Sequence, residues 1–553
     1  MYFERQKHHL TGTTEFDTDI RGLEVVELGS ASFLLASTGV NGGLVSYRLD
    51  AAGTVAGIAD TVLFSQDWGQ SVSGMMAVTV TGNSASVVLG GGAGTAMVRY
   101  ALATDGTIGV QTSTGVDTSS GSDAAAVMLA GGPVHYTVQH STGQVTRHTA
   151  DQGATVEQIT VSGLTDLGAV TVGSATYLLV TSHETQSISS YRIDAATGAL
   201  SHASDLGVQE GFGINAPTAF ETVTAFGQMW VILGSAGSGT LSILEIAANG
   251  ELRPIDQLLD TRDTRFDGVQ DVATAQIGDR VFVVAGGADD GLSLFTLMPD
   301  GRLIHLETIP HTTGSGLMNV DEIETAVIGN ALQIFVSSGT DAGITAFTVD
   351  LSNLGGVQRG DHDGSTTLQG TSGDDLLIAG QNDTVQAGAG NDILVGAAGA
   401  QLIGGQGADI FVLAQTGTLT RVLDFMPAVD TLDLSSFFML RSTGQLEITS
   451  TSFGAQVEYR GTTIEVRSAL GLSLDSDALF GAGLSGGFTW ADRIPLPGST
   501  EPAPAVNPTP DTPPPSPETP APEPSNMQLS GGDGSDALIG GEGDDTLWGG
   551  SGH

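Results

Sequence analysis

Glycine and aspartate recur at a fixed spacing between residues 370 and 412. The run "GGQGADIFV" from Gly404 follows "GTSGDDLLI" from Gly370, "AGQNDTVQ" from Ala379, "AGAGNDILV" from Ala387 and "GAAGAQLI" from Gly396. Glycines let backbone carbonyls approach one another, because no Cβ stands between them. Carboxylate and carbonyl oxygens are the ligands that calcium prefers in proteins. The repeat therefore predicts calcium binding, and a metal-free glycine-rich coil is the alternative.

These runs follow the nine-residue pattern G-G-x-G-x-D-x-U-x and resemble the RTX (repeats-in-toxin) family, whose members form a parallel β-roll. In that family calcium lies between turns on the same edge, so that turn n pairs with turn n+2. The resemblance implies that Asp375, Asp392 and Asp409 share one edge, with two complete sites between them. The other edge would contain Asp383 and then Gln401. A neutral amide is a weaker calcium ligand than a carboxylate, so we expect little or no binding there.

The repeat returns near the end of the chain as "GGDGSDALI" from Gly531 and "GGEGDDTLW" from Gly540, and a weaker turn from Asp361 precedes the first array. The segment "VLDFMPAVDTLDLS" resembles the part that closes the β-roll in serralysin-type exported proteins. Its aspartates Asp424, Asp430 and Asp433 either complete a terminal calcium site or lie in solvated strands and turns. The residues predicted to form calcium sites are Gly370, Gly373, Asp375, Asp383, Gly388, Gly390, Asp392, Gly405, Gly407, Asp409, Asp430, Asp536 and Asp545.

Two series of glycines divide residues 20–357 into seven similar units. The first series is Gly29, Gly82, Gly131, Gly173, Gly227, Gly278 and Gly329, and the second is Gly53, Gly106, Gly153, Gly198, Gly250, Gly301 and Gly355. Four short strands repeating at about 50 residues are typical of propeller blades, and an array of β-sandwiches is the alternative. Turns such as "YRLDAAG" resemble those of lactonase-like seven-bladed propellers, a resemblance that carries fold better than function.

We therefore predict an all-β chain: a seven-bladed β-propeller, a parallel β-roll with a β-strand cap, a Pro-rich linker and a second, partial β-roll. The predicted domains are 1–357 for the propeller, 358–412 for the calcium-binding roll, 413–495 for the closing strands, 496–526 for the acidic linker and 527–553 for the second roll. Proline-rich segments of this kind are extended and semi-rigid.

Composition excludes several classes of partner. The net charge is −44, from 62 acidic and 18 basic residues, and Lys7 is the single lysine. Nucleic acid and anionic membranes are therefore not expected as partners. The chain has no cysteine, so it has neither disulfides nor thiolate metal sites. No apolar run is long enough for a transmembrane segment, and the first ten residues do not form a secretory signal.

The sequence contains no strong catalytic motif. None of the 11 histidines lies in an H-E-x-x-H motif, and "GLSGG" around Ser485 lacks the strand–turn–helix setting of a nucleophile elbow. Acids at the starts of blades could face a central channel and act in hydrolysis, although strand capping is the simpler interpretation; these acids are Asp271, Asp321, Glu322 and Glu324. Trp68 and Trp230 are expected in the core, with sugar stacking as the alternative.

The preferred interpretation is an exported calcium-binding protein, extracellular or attached to the cell surface, whose propeller recognises a glycan or other surface ligand or serves as a scaffold. The RTX resemblance implies type I secretion machinery as a partner. The alternatives are an exported lactonase-like hydrolase and a surface-layer or adhesive protein. The last turn breaks off at His553 before its aspartate position. We expect that the native chain continues, and that residues 527–553 bind calcium poorly on their own.

Overall fold

The computed structural model describes residues 3–39, 41–65, 72–91, 95–118, 124–129, 132–139, 142–149, 153–361, 364–481, 492–496, 528–530 and 546–548. Nearly all regular structure in these ranges is β-strand. The helical segments are short: α1 (Thr14–Asp17), α2 (Ser476–Phe480) and two 3₁₀ turns, Val208–Glu210 and Thr443–Gln445. No helix of the described chain is long and apolar enough to cross a membrane.

Seven antiparallel sheets form a β-propeller, as predicted. Blades one and two contain β2 (Ile20–Leu28), β3 (Ala31–Thr38), β4 (Gly43–Leu49), β5 (Val55–Leu63), β6 (Val72–Thr81), β7 (Ser84–Gly91), β8 (Thr95–Leu102) and β9 (Thr112–Thr118). Blades three and four contain β10 (Ala124–Leu129), β11 (Gly132–Gln139), β12 (Gln144–Thr149), β13 (Gly153–Thr160), β14 (Leu164–Val172), β15 (Ala175–Ser182), β16 (Ser187–Ile193) and β17 (Leu200–Gly207).

The last three blades continue this order. They contain β18 (Pro217–Ala225), β19 (Gln228–Ser235), β20 (Thr240–Ile246), β21 (Leu252–Leu259), β22 (Val269–Ile277), β23 (Arg280–Gly287), β24 (Gly291–Leu297), β25 (Leu303–Pro310), β26 (Val320–Ile328), β27 (Ala331–Ser338) and β28 (Ile344–Asp350). The first strand of the chain, β1 (Phe3–His9), pairs antiparallel with β28 and completes blade seven. The ring is therefore closed by strands from distant parts of the sequence.

The glycine series mark the predicted turns with local exceptions. Gly29 and Gly53, for example, have φ of 65° and 78°, conformations that an L-residue adopts only with strain. Gly131 lies outside the described residues. Gly355 does not mark a blade turn: it lies in β29 (Leu354–Arg359), which pairs with a strand of the roll, because β1 already occupies the outer position of blade seven. The last propeller strand, β28, thus ends at Asp350, and β29 belongs to the first sheet of the roll.

The second architecture is a parallel β-solenoid of about four turns between residues 354 and 433. Its first sheet has the order β29, β31 (Asp374–Ile378), β33 (Ile393–Val395), β35 (Ile410–Val412) and β37 (Thr431–Asp433). Its second sheet contains β30 (Thr367–Gln369), β32 (Thr384–Ala389), β34 (Gln401–Gln406) and β36 (Leu419–Phe425). Successive strands alternate between the two sheets, so that each turn stacks on the turn two places away, as the RTX resemblance implied.

A three-stranded extension closes the roll. β38 (Glu447–Thr451), β39 (Gly454–Tyr459) and β40 (Thr462–Ser468) join the second sheet beside β36. Aliphatic residues of both roll sheets, among them Leu377, Leu394 and Leu402, share one buried core with Val457 and Ile464 of the extension. The short strand β41 (Asp492–Arg493) leaves this region and pairs with β21 of blade five.

Residues 505–553 form a separate compact unit, of which two short strands are described. β42 (Gln528–Ser530) and β43 (Thr546–Trp548) pair in parallel, with Leu529 opposite Leu547. This parallel pairing is the one expected of turns n and n+2 in a β-roll. Asp536 and Asp545 lie outside the described residues.

Candidate calcium site

The parallel pairing places four aspartates in one row along an edge of the roll. Leu376 pairs with Ile393, Ile393 with Ile410 and Ile410 with Thr431. The residues that precede these four are Asp375, Asp392, Asp409 and Asp430. Adjacent parallel strands lie about 4.8 Å apart, so the carboxylates stack closely. We call this row the aspartate edge.

A hydrogen bond repeats along the aspartate edge and joins each turn to the turn stacked on it, 17 residues away in the first two cases. The backbone N–H of Asp375 donates to Oδ1 of Asp392 (2.7 Å), and the N–H of Asp392 donates to Oδ1 of Asp409 (3.0 Å). The N–H of Asp409 donates in the same way to Oδ1 of Asp430 (3.1 Å). Each carboxylate therefore uses one oxygen to fix the register of its neighbour, and its second oxygen is oriented by that bond.

The second oxygens separate the middle of the row from its ends. Oδ2 of Asp375 accepts the backbone N–H of Thr371 (2.5 Å), and Oδ2 of Asp430 accepts that of Met426 (2.7 Å). In contrast, Oδ2 of Asp392 and Oδ2 of Asp409 are buried and accept no hydrogen bond within the described chain. A buried carboxylate oxygen without a partner is costly, so both atoms are candidate metal ligands.

Electrostatics at the two central carboxylates point the same way. The pKa of Asp392 is raised to about 7, mainly by burial and also by the neighbouring charges of Asp409, Asp375 and Asp374. Burial likewise raises the pKa of Asp409 to about 7, together with the charges of Asp430 and Asp424. Without a cation, the row therefore concentrates negative charge that the fold disfavours. A divalent cation would remove both the repulsion and the unpaired oxygens.

Glycines shape the backbone around these carboxylates. Gly405 and Gly407 have φ of 104° and 137°. A methyl group on Gly405 would overlap the carbonyl oxygen of Gly388, and one on Gly407 would overlap that of Gly390, both in the turn stacked beneath. Gly388 and Gly390 have the same kind of φ and face the turn that precedes them. The described residues contain no cluster of three or more acidic or histidine side chains able to hold a metal alone. A calcium ion bound at this edge would therefore take backbone carbonyls among its oxygen ligands.

The remaining predicted glycines contribute space rather than unusual φ. A Cβ at Gly370 would overlap the carbonyl oxygen of Ala387, and one at Gly373 would lie 2.6 Å from that of Asn353. Sequence reasoning missed the residues immediately before the aspartates. Oδ1 of Asp374 accepts the N–H of Asn391 (2.7 Å) and Oδ1 of Asn391 accepts that of Ala408 (2.9 Å), so a second polar row follows the first.

The opposite edge of the roll is different, and one prediction there is wrong. Thr384 pairs with Gln401 and Val385 with Leu402, so Ala400, not Gln401, occupies the position equivalent to Asp383. Both turns have eight residues, and Ala400 follows Asp383 by 17 residues, the spacing that also separates Asp375 from Asp392. Leu402 accordingly lies at the buried position of Val385, and Gln401 follows the aspartate position.

Asp383 itself has both carboxylate oxygens satisfied. Its Oδ1 accepts the N–H of Thr366 (2.7 Å) and its Oδ2 accepts that of Gly380 (2.6 Å). Two further aspartates of the closing segment are not members of the row, although Asp424 lies close enough for its charge to raise the pKa values of Asp409 and Asp430. Asp424 caps the N–H groups of Gly404 and Gly405 (both 2.9 Å), and Asp433 lies at the far end of β37 from Asp430.

Comparisons with known proteins bear directly on these turns. Residues 362–382, 380–400 and 528–553 match the sequence profile of the RTX calcium-binding nonapeptide repeat. The chain carries RTX calcium-binding repeats. The matches in the first roll end at residue 400, whereas the structure continues the same stacking through Asp409 and Asp430. A comparison with curated proteins finds no match.

Solved structures with a similar fold each cover about three fifths of this chain. They include virginiamycin B lyase from Staphylococcus aureus (14% identity, 63% of this chain and 99% of that chain, TM-score 0.41). They also include the periplasmic gluconolactonase PpgL from Pseudomonas aeruginosa (19% identity, 58% and 97%, TM-score 0.39). Similarity at this level carries no inference about activity.

The acids predicted at the blade starts lie on the first strands of their blades, which contact one another around the propeller axis. Oδ2 of Asp271 accepts the N–H of Ile323 in the next blade (2.7 Å), and Oε1 of Glu324 accepts that of Val25 in blade one (2.9 Å). Burial raises the pKa of Asp271 to about 8 and raises the pKa values of Asp321, Glu322 and Glu324 as well. Two of the four acids thus link neighbouring blades.

Two further candidates have simple outcomes. The side chain of Trp230 is 2% exposed, and its indole N–H donates to the carbonyl of Ala225 (3.1 Å). It therefore packs in the core, as expected, and offers no surface for stacking on a sugar. Trp68 and Ser485 lie outside the described residues.

Proposed function

We propose that the first roll is a calcium-dependent folding module of an exported protein and that the propeller is its recognition or scaffold module. The observation that supports it most directly is the pair of buried, unpartnered oxygens on Asp392 and Asp409. The residues of the aspartate edge would hold the ions, and the glycine carbonyls facing them would complete the coordination. Calcium supplies the positive charge that neutralises the row, and the chain supplies oriented oxygens.

Calcium binding of this kind would act as a folding switch. A ligand that binds only the folded state adds about 2.7 kcal/mol per site when it is present at a hundred times its dissociation constant. Glycine-rich turns lose much backbone entropy on ordering, and the crowded carboxylates oppose ordering further. We therefore expect the roll to be unfolded in calcium-poor surroundings and folded outside the cell. This behaviour fits type I secretion, which the RTX resemblance implies.

Hydrogen exchange on the full chain tests this proposal. Backbone amides of Asp374–Val412 should be protected in millimolar calcium and exchange rapidly in excess chelator. Magnesium at the same concentration is the control, because its smaller octahedral shell keeps several waters and fits such a cage poorly. Equal protection of these strands with calcium and with chelator would refute the proposal.

An exported hydrolase is the second candidate, supported by the raised pKa values of the carboxylates around the propeller axis, which are a feature of many active sites. The hydrogen bonds of Asp271 and Glu324 to neighbouring blades favour a structural role instead. A panel of lactones and esters, assayed in calcium with the Asp271→Ala and Glu324→Ala variants, separates the two. Turnover that both variants abolish while the fold is retained would establish the enzyme.

A surface-layer or adhesive role, the third candidate, predicts calcium-dependent self-association of the full chain. Size-exclusion chromatography with and without calcium tests it. For the recognition role, a glycan-and-lactone binding screen in calcium would identify the ligand class of the propeller.

A further inference from the structure

A short segment after the closing strands covers the outer edge of blade five. This segment, Asp492–Leu496, is called the strap below. Its strand β41 pairs antiparallel with β21, with Arg493 opposite Leu258, and the N–H of Ile494 donates to the carbonyl of Gln257 (2.8 Å). Leu496 packs against a core cluster formed by blades four and five. The strap thus adds a fifth strand to a blade that precedes it by more than 200 residues.

Arg493 brings a positive charge to the boundary between blades five and six. Its Nη1 lies 3.5 Å from Oδ2 of Asp256, and the two side chains are 11% and 6% exposed. The same Asp256 oxygen accepts the N–H of Leu303 in blade six (3.0 Å), and Arg493 Nη2 donates to the carbonyl of Leu303. Removing one partner of a buried ion pair leaves an uncompensated charge, so the strap stabilises this boundary.

Arg441 connects the strap to the roll. Its guanidinium donates to the carbonyl of Arg493 (3.0 Å) and lies 3.8 Å from the carboxylate of Asp492. The residue before it, Leu440, is 4% exposed in the core that the roll shares with its closing strands. Arg441 therefore holds the strap only when that core is formed.

A second contact joins the calcium turns to blade six. Leu376, Ile393, Val395 and Val412 on the outer face of the first roll sheet cluster with Met298 and Ile304 of the propeller. Arg280 of blade six also donates to the carbonyl of Asp374 (2.9 Å), next to the aspartate edge. The strands that follow Asp375, Asp392 and Asp409 are thus packed directly on the propeller.

We propose that calcium binding in the first roll locks blades five and six of the propeller through the strap. The proposal rests on the proposed function, in which calcium orders the roll. An ordered roll core positions Leu440 and Arg441, Arg441 seats the strap, and Arg493 then neutralises Asp256. Coupling between two sites is reciprocal, so a seated strap also raises the calcium affinity of the roll. The propeller would then reach its full rigidity only where calcium is available.

Hydrogen exchange of the full chain, with calcium or with chelator, tests the coupling. Calcium should slow exchange in Leu252–Leu259 by about tenfold, the order of a 1.4 kcal/mol change in opening free energy, and should leave Ala31–Thr38 of blade one unchanged. Arg493→Ala should remove the calcium response in blade five and weaken calcium binding to the roll by a similar factor. Arg253→Ala is the matched control. This arginine lies on β21, the strand that pairs with the strap, and its guanidinium pairs with Glu251 at the surface (2.6 Å).

Arg441→Ala guards against a general loss of folding in Arg493→Ala, because it keeps both Arg493 and Asp256 and removes only a partly exposed side chain that contacts the strap. It should also abolish the calcium response of Leu252–Leu259, and a response equal to that of the unmodified chain would overturn the coupling. Protection of Asp374–Val412 by calcium without any effect in blade five would overturn the coupling and leave the proposed function standing. Absence of protection in both regions would refute both.

Discussion

The two edges of the first roll have the same parallel backbone and stack at the same spacing, yet one has an aspartate at all four equivalent positions and the other at only one of them. By strand register, one edge has Asp375, Asp392, Asp409 and Asp430, and the other has Thr366, Asp383, Ala400 and Thr420. The first edge leaves two buried carboxylate oxygens without a hydrogen bond, whereas the second satisfies both oxygens of its single aspartate.

This difference shows that an aspartate in the repeat is not enough to make a metal site. Oδ1 of each aspartate accepts an N–H from the preceding turn on both edges, so that bond is structural. The second oxygen is available to a metal at Asp392 and Asp409, where no donor of the described chain reaches it, but not at Asp383, where the N–H of Gly380 occupies it. The carboxylates around the propeller axis illustrate the same point, because Asp271 and Glu324 accept N–H groups of neighbouring blades.

The largest expected effect is at the centre of the aspartate edge. Asp392→Asn keeps the Oδ1 acceptor for Asp375 but replaces the unpartnered oxygen by an amide nitrogen, so calcium affinity should fall on the order of a hundredfold, or ~3 kcal/mol. The same change removes a buried charge and should make the calcium-free roll more stable. Calorimetric calcium titration and thermal unfolding in chelator measure the two effects.

Asp383→Asn is the control for this substitution on the opposite edge. It should leave calcium affinity within about twofold, because both oxygens of Asp383 are already occupied by backbone donors. Asp375→Asn should weaken binding less than Asp392→Asn, since Oδ2 of Asp375 already accepts a backbone N–H, whereas Asp409→Asn removes the other unpartnered oxygen and should have an effect of the same order as Asp392→Asn. Equal losses at 383 and 392 would contradict the distinction between the edges.

The second prediction concerns the backbone that faces the ions. Gly407→Ala should destabilise the roll by about 2 kcal/mol or more, because φ is 137° and the added methyl overlaps the carbonyl oxygen of Gly390. Gly364→Ala is the control, since a Cβ there meets no atom within 4 Å, and its effect should stay within about 1 kcal/mol. Thermal unfolding in saturating calcium compares the two. A loss at Gly364 as large as that at Gly407 would contradict the assigned geometry.

The third prediction concerns a substitution that makes the edge containing Asp383 more similar to the aspartate edge. Ala400→Asp places a second carboxylate next to Asp383 in a fully buried position. It should destabilise the protein in chelator by about 1–3 kcal/mol, with part of that loss restored by millimolar calcium and none by magnesium. Chemical denaturation under the three conditions is the measurement. Ala400→Ser adds polarity without charge and should show no calcium-dependent recovery.

The sequence allowed the seven blades to be predicted, because glycine turns and aliphatic periodicity are local signals, whereas the alternation between two roll sheets and the row of three aspartates followed from the resemblance to the RTX family. It did not allow the closure of blade seven by β1 or the pairing of Arg493 with blade five, since nothing local distinguishes strands that pair across hundreds of residues. The exchange of Ala400 for Gln401 has another cause. Both turns on this edge have eight residues, so Ala400 is the fifth residue of its turn, as Asp383 is, and follows it by the same 17 residues that separate Asp375 from Asp392; the spacing alone was enough to place it.

The smallest expected effect tests that register directly. In the structure Gln401 follows the aspartate position and is partly exposed, so Gln401→Ala should change neither calcium affinity nor stability by more than about 0.5 kcal/mol. Had Gln401 occupied the aspartate position, its amide would lie between turns like the carboxylate of Asp383, and its removal would leave buried N–H groups unpaired at a cost of about 1–3 kcal/mol. Chemical denaturation of Gln401→Ala beside Asp383→Ala distinguishes these cases. A comparable loss of unfolding free energy in both variants would mean that Gln401 occupies the aspartate position. A loss confined to Asp383→Ala would mean that Ala400 occupies it, and that the second edge has no row of oxygen ligands.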